Sequence, residues 1–403
     1  MNEKRLRMLL RETPVPAEEA AERRGLLVVT KAFAERRPPR QQALPRLGLV
    51  FAIGLLFAAL TLSPAGAKVR DWIDDVFTAG VPNAEHALTD IPGGGRLLVQ
   101  ASGGSWLVQP DGSRRLLGNF GEATWSPHGL FVAATDGHTL NAVDPEGNLR
   151  WSISADGTPR DARWSASGFR IAYRAGPSLR VVAADGSDDA LLDRRVAALP
   201  PTWFPLGLHM LAYVNAQGRL RIVNTDTRET LGSAKALAGI DVLEWATNGS
   251  MLLEASRRSL RIRATKTSKL ANELVIGAPR GIRLPAGATV RDAAFSPNGV
   301  TVAALLYLPS SGTRTAQSEV VLMDAASGSL RRLFSVSGRL SNLAWSPQGR
   351  RLLVAWRDAD QWLFLPVDGS DRVRAIGGIS GEFAPGDRGS PSFPQIEGWC
   401  CTR

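Results

Sequence analysis

The stretch Leu343-Ala344-Trp345-Ser346-Pro347-Gln348-Gly349-Arg350-Arg351-Leu352-Leu353-Val354 reads as a strand, a tight turn and a second, more apolar strand. Proline presets φ in the turn, and glycine permits the chain reversal. The same box recurs as Trp125-Ser126-Pro127-His128-Gly129, Trp164-Ser165-Ala166-Ser167-Gly168 and Trp203-Phe204-Pro205-Leu206-Gly207. Further on it returns as Trp245-Ala246-Thr247-Asn248-Gly249 and Phe295-Ser296-Pro297-Asn298-Gly299. In every copy an aromatic stands four positions before a glycine. A weaker first copy, Asp90-Ile91-Pro92-Gly93-Gly94, lacks the aromatic. The steps between copies, about 35 to 50 residues, are close to those of four-stranded propeller blades.

A second marker follows most boxes. It is Asp111-Gly112, Glu146-Gly147, Asp185-Gly186, Thr225-Asp226 and Asp368-Gly369, with Asp324 to Gly328 in the sixth unit after a longer loop, Pro309 to Ser318. Asp or Asn followed by Gly tolerates positive φ and marks a hairpin. In the fifth unit the marker is lost, and Ala264-Thr265-Lys266 stands in its place. Between the markers lie short β-type runs such as Arg170-Ile171-Ala172-Tyr173 and Glu319-Val320-Val321-Leu322-Met323. Each unit therefore reads as strand A, Pro/Gly turn, strand B, loop, strand C, Asp-Gly turn, strand D. One such meander cannot bury both of its faces, but a ring of them can. The fold class is all-β, a β-propeller. Seven copies give seven blades, and six follow if the degenerate first copy only completes the last blade.

The Trp-Ser-Pro-x-Gly boxes, each followed by an apolar strand, resemble the WD40-like propeller repeats of the TolB type, over residues 84–378. The layout as a whole resembles membrane-anchored propeller proteins of actinobacteria. Departures are the absent aromatic in the first copy and the absent proline at Ala166 and Thr247. The resemblance implies architecture and says little about ligand.

The net charge is +10. Nucleic-acid binding needs such charge gathered on one face. Here eleven Lys and Arg against six Glu in residues 1–46 account for about half the excess, and the rest is scattered through turns. That argues against a nucleic-acid partner. Acidic residues after Pro14 and Pro16 mark a helix start, so residues 17–36 are expected to form a helix with a narrow apolar stripe, read as a solvated juxtamembrane helix or, alternatively, as a docking site for a cytoplasmic protein.

Residues 47–67 carry no charge and are long enough to cross a bilayer core of about 30 Å. Arg36, Arg37, Arg40 and Arg46 precede the segment and Asp71, Asp74 and Asp75 follow it, which places the N-terminus in the cytoplasm and the propeller outside. The rival is a signal peptide cleaved near Ala67, against which stands the long segment before it. The expected order is arm 1–46, span 47–67, linker 68–83, propeller 84–380 and tail 381–403. The tail carries the only cysteines, Cys400 and Cys401, adjacent and without metal or redox spacing. They can form a vicinal disulfide, pair with another chain or stay reduced, and a location outside the cytoplasm favours an oxidised form.

No nucleophile elbow, phosphate loop or His-Glu-x-x-His motif is present, so no catalytic residue and no cofactor is assigned. His128 and His209 read as solvent-facing turn residues. Propeller topology puts the B–C and D–A loops on the face opposite the A–B turns. Binding candidates are accordingly His138, Arg174, Asn215, Arg257, and the loop residues Trp356, Arg357, Asp358, Asp360 and Gln361. Arg258 and Arg314 fall on the same loops. Two carboxylates in one loop, Asp358 and Asp360, are the nearest thing to an acid cluster in this reading. The expected function is a non-enzymatic binding propeller that engages a protein, peptide or cell-wall component. The alternatives are an anti-sigma-like transmembrane regulator and a propeller-type hydrolase or cyclase.

Overall fold

The box glycines Gly129, Gly168, Gly207, Gly249, Gly299 and Gly349 all adopt φ between +63° and +79°, the left-handed region that a side chain resists. The box serine completes the turn. Ser126, Ser165, Ser296 and Ser346 are buried, and each hydroxyl accepts a backbone N–H five residues on, from Phe131, Arg170, Thr301 and Arg351 at 3.0–3.1 Å. Phe204 and Ala246 replace that serine in the fourth and fifth units and leave the turn to its backbone bonds and glycine.

The computed structural model describes residues 84–85, 87–207, 209–268, 273–311, 315–369, 372–383 and 392–401. Within them lie seven four-stranded antiparallel sheets, the blades of a seven-bladed propeller. Six blades are simple meanders read in chain order. The first is built from both ends of the ring: Arg96–Ala101, Gly104–Val108 and Arg114–Gly118 supply its three outer strands, and Gln395–Cys400 supplies the innermost. Arg96 to Gln100 pair with Cys400 to Gln395 in antiparallel register. The strand assigned to a tail at 381–403 thus belongs to the propeller, which extends beyond residue 380.

This arrangement supplies the aromatic that the first box lacks. Trp399 stands at the end of the innermost strand, as Trp345 does in blade 7, and its Nε1 donates to Gly94 O at 2.8 Å. Two of the box tryptophans donate instead across a blade seam: Trp345 Nε1 to Ala294 O (3.1 Å) and Trp203 Nε1 to Arg163 O (2.8 Å). Alternation along the strands then fills the seams. In blade 7, Leu352 and Val354 pack with Leu305 and Val320 of blade 6, whereas Leu353 and Ala355 pack with Leu97 and Trp399 of blade 1.

At Ala264-Thr265-Lys266, where the fifth unit lacks the Asp-Gly marker, no turn forms. A ten-residue strand, Ser259–Ser268, runs through these residues and pairs with Glu273–Gly281. The β-branched Thr265 explains the continuation, since its hydroxyl donates to Gly249 O and ties the long strand to the A–B turn. Cys400 and Cys401 are bonded to each other, and Cys401 takes φ 64°. The pair lies against the first turn of blade 2, where a Cβ at Gly129 would collide with Cys401 Sγ. No helix among the described residues is long and apolar enough to cross a membrane. The expected arm, span and linker, residues 1–83, lie outside the described residues.

Because Trp399 and Trp345 are equivalent, Trp399→Ala should cost about as much as Trp345→Ala, on the order of 3–5 kcal/mol in urea denaturation. A tail residue would cost almost nothing.

Candidate functional site

The meander places all A–B and C–D turns on one face of the ring and all B–C and D–A loops on the other. The sequence candidates fall on the second face, but on different blades. His138 is in the B–C turn of blade 2. Asn215 builds its own turn in blade 4, accepting from the N–H groups of Gln217 (3.1 Å) and Arg219 (3.0 Å). Arg174 is near the end of the strand Arg170–Ala175, with Nε 2.5 Å from Asp161 Oδ2. Arg257 lies in the B–C turn of blade 5, beside a small cavity shared with Asp241 and Arg291. Arg314 lies outside the described residues. His209 is half-buried with Nδ1 2.7 Å from Asp226 Oδ2, unlike the solvent-facing turn residue expected.

Only Arg357, Asp358 and Asp360 are brought to one cavity. It measures about 820 Å³, sits at the channel mouth over blades 6 and 7, and is also lined by Arg291, Tyr307 and Arg339. Residues Arg357–Ala359 form a single 3-10 turn, and Asp360 follows in the left-handed region with φ 53°. Trp356 ends the strand before the turn and Gln361 begins the strand after it, paired to each other. Trp362 is fully buried in the seam with blade 1, its ring 5.5 Å from that of Phe383.

The two loop carboxylates act as braces. Asp358 Oδ2 accepts the backbone N–H of Arg339 at 2.8 Å, and Oδ1 accepts Arg339 Nη2 at 3.1 Å. That backbone bond, then the guanidinium, hold the Asp358 carboxyl below its ordinary value. Asp360 Oδ1 accepts both the N–H (2.9 Å) and the hydroxyl (2.6 Å) of Ser380. The B–C loop of blade 7 is thereby fastened to the D–A loop before it and to the short helix Ile379–Glu382 after it.

The structure places acids where the sequence reading had none. Register shifts interrupt the pairing of several innermost strands: at Asp241 between Ile240 and Val242, at Arg291 between Val290 and Asp292, and at Asn342 between Ser341 and Leu343. The pairing of the closing strand skips Glu397 in the same way. A bulge of this kind re-aims the inserted side chain. Asp241 and Glu397, together with Glu122, Asp161, Glu244 and Asp292, give two further cavities along the innermost strands an acidic lining, relieved by Arg163 and Arg160. The acid content of the chain is therefore not confined to Asp358 and Asp360. Among the described residues no group of three or more His, Cys, Asp or Glu could hold a metal ion.

Several of these acids join blades. Glu122 accepts Asp161 N at 2.7 Å, Glu244 accepts Phe295 N at 2.9 Å, and Asp292 accepts Leu343 N at 3.0 Å. Burial pushes the Glu244 carboxyl up to about 8; the Phe295 N–H opposes the shift and nearby Asp292 adds to it. Burial likewise raises Glu397 to about 7, with Arg163 opposing and Glu122 and Asp161 adding. Asp292 is also raised by burial. Glu244 and Asp292 are half-buried and Glu397 is exposed to the channel, whose walls leave these carboxyls less bulk water to solvate a charge than an open surface would.

No family model matches the chain, and no curated protein matches it. Solved structures do. The Cps50 (Swd1) β-propeller domain of Myceliophteria thermophila is similar at 18% identity and TM-score 0.53, over 69% of this chain and 98% of that one. A putative 6-phosphogluconolactonase from Bacteroides fragilis is similar at 16% identity and TM-score 0.50, over 75% and 97%. Hydrazine synthase of Kuenenia stuttgartiensis is similar at 15% identity and TM-score 0.48, over 61% and 76%. At such identities the likeness is one of fold: a seven-bladed propeller with WD40-like structural neighbours.

A carboxyl raised in the native state costs stability once the unfolded chain ionises. From its ordinary value of 4.5 up to about 8, the native state holds protons that the unfolded state has lost, so stability falls across that window and levels above it. The Tm of the wild-type chain should therefore drop between about pH 5 and pH 8. Glu244→Gln and Glu397→Gln should each flatten that drop, as scanning calorimetry across the range would show.

Proposed function

We propose that this chain is a non-enzymatic binding propeller that engages a protein, peptide or cell-wall ligand through its B–C and D–A loops. The observation that carries the reading is the cavity of about 820 Å³ at the loop-face mouth of blades 6 and 7. Its rim loops are braced to each other through Asp358 and Asp360. A braced rim around an open cavity is preorganised, which lowers the ordering cost of binding. The binding residues of this proposal are Arg357 and its neighbours Trp356, Asp358, Asp360 and Gln361, with His138, Arg174, Asn215 and Arg257 spaced round the same face.

The proposal also places the propeller outside a membrane, held by residues 47–67 as a single-pass anchor with residues 1–46 in the cytoplasm. Its support is the uncharged span and its basic leading flank. A second reading, a propeller-type hydrolase, draws on the raised carboxyls Glu244 and Glu397, since a carboxyl still protonated near neutrality is what a general acid requires.

Photo-crosslinking residues introduced at His138 or Arg357 in the full-length chain should trap a partner in cells of its source. The same residue at Phe169, exposed on the A–B face, should not. Cross-links from Phe169 alone would reverse the assignment of the face.

A further inference from the structure

The loop-face cavity is lined by three arginines and three aspartates, but they are not equivalent. Arg339 is paired with Asp358, Asp360 is satisfied by Ser380, and Asp292 accepts the backbone N–H of Leu343. Arg291 and Arg357 differ from all of these. Neither makes an ion-pair contact with a carboxylate among the described residues, although the Arg357 charge is felt by neighbouring Asp358. Each guanidinium lies over an aromatic ring: Arg291 over Tyr307 at 5.2 Å, and Arg357 over Phe393 at 6.0 Å. Tyr307 and Phe393 line the same cavity.

The two positions are set by different elements. Arg291 is the residue inserted at the bulge of the strand Thr289–Phe295, where Val290 and Asp292 take consecutive partners on the next strand and Arg291 takes none. Arg357 opens the 3-10 turn between the second and third strands of blade 7. Both are exposed. A guanidinium resting on a ring face keeps its edge N–H donors free and its plane fixed, which suits it to grip a planar anion. The hydroxyl of Ser341, at the wall of the same cavity, also lacks a hydrogen-bond partner among the described residues.

Resting on the reading of this face as the binding face, we propose that the cavity recognises a peptide carboxylate, gripped by Arg291 and Arg357. The aspartates around it favour a singly charged, planar group over a phosphate. Asp292, Asp358 and Asp360 would repel a second negative charge, while a carboxylate on a peptide brings neighbouring amide N–H donors that those oxygens accept. The carboxylate is supplied by a Glu or Asp side chain or by a chain terminus.

The test is equilibrium binding of the full-length protein to short peptides with randomised flanking positions, in three arms: C-amidated with a central Glu, free C-terminus with a central Gln, and C-amidated with a central Gln. Inorganic phosphate is the fourth probe. One of the first two arms should bind about 10–100-fold more tightly than the neutral arm, and which one does so identifies the source of the carboxylate. Arg291→Gln and Arg357→Gln should each remove that advantage at unchanged Tm, with Arg357→Lys retaining part of it. Equal binding by the neutral arm, no binding by any arm, tighter binding of phosphate, or indifference to both substitutions overturns the carboxylate assignment. The cross-linking comparison between faces reports separately on the binding face, so the two failures are distinguishable.

Discussion

Five residue pairs, Arg96 to Gln100 against Gln395 to Cys400 with Glu397 skipped, hold the propeller shut. An open ring would leave the seam-facing side chains of two blades in water and two sheet edges unpaired. Joining strands about 300 residues apart carries a loop-closure cost of about 5 kcal/mol. The pairing meets that cost with backbone hydrogen bonds and with the burial of Ile396 and Trp399 among Leu97, Val99 and Phe364. Trp399 binds Gly94 O, so the closing strand completes the box that opens the ring. Blade 1 is therefore the joint on which every other seam depends.

Around the axis the chain sets a net charge of +10 against an inner wall rich in acids. The apparent conflict resolves at the level of hydrogen bonds. Glu122, Glu244 and Asp292 each reach the backbone N–H of the next blade's innermost strand, so an acid in the channel is also a link between neighbours. The strands of Glu244 and Asp292 also carry bulges, and a bulge re-aims the side chain inserted at it. Arg291 reaches the loop-face cavity by this means. Arg291 at the mouth and Glu397 deeper in arise from one device, an extra residue inserted into an inner strand, whereas Arg357 is placed by the 3-10 turn.

The turns were legible because each depends on residues that stand together in the chain. Gly349 must take positive φ, Ser346 must cap the turn, and Trp345 must enter the seam, all within five positions. The first blade was less legible because its aromatic lies about 300 residues from its glycines and is followed by Cys400 and Cys401 instead of Ser-Pro. Counting strands sufficed to place Arg357, Asp358 and Asp360 on the loop face. It did not reveal Arg291 or Glu397, since a bulge breaks the period of two from which facing is read. Nor could spacing show that Asp358 and Asp360 are already engaged, for their partners Arg339 and Ser380 belong to other segments.

The joint in blade 1 also orders events in time. The innermost strand of the first blade is made after all the strands it must complete, so a chain still on the ribosome can build blades 2 to 7 but holds an incomplete sheet at its leading edge. Until Gln395 to Cys400 emerge, the strand Arg96–Ala101 presents a bare edge to whatever surrounds it. The finished ring conceals the segment most open to mispairing during synthesis, and a circular permutation that moved the break to a loop between blades would remove that interval.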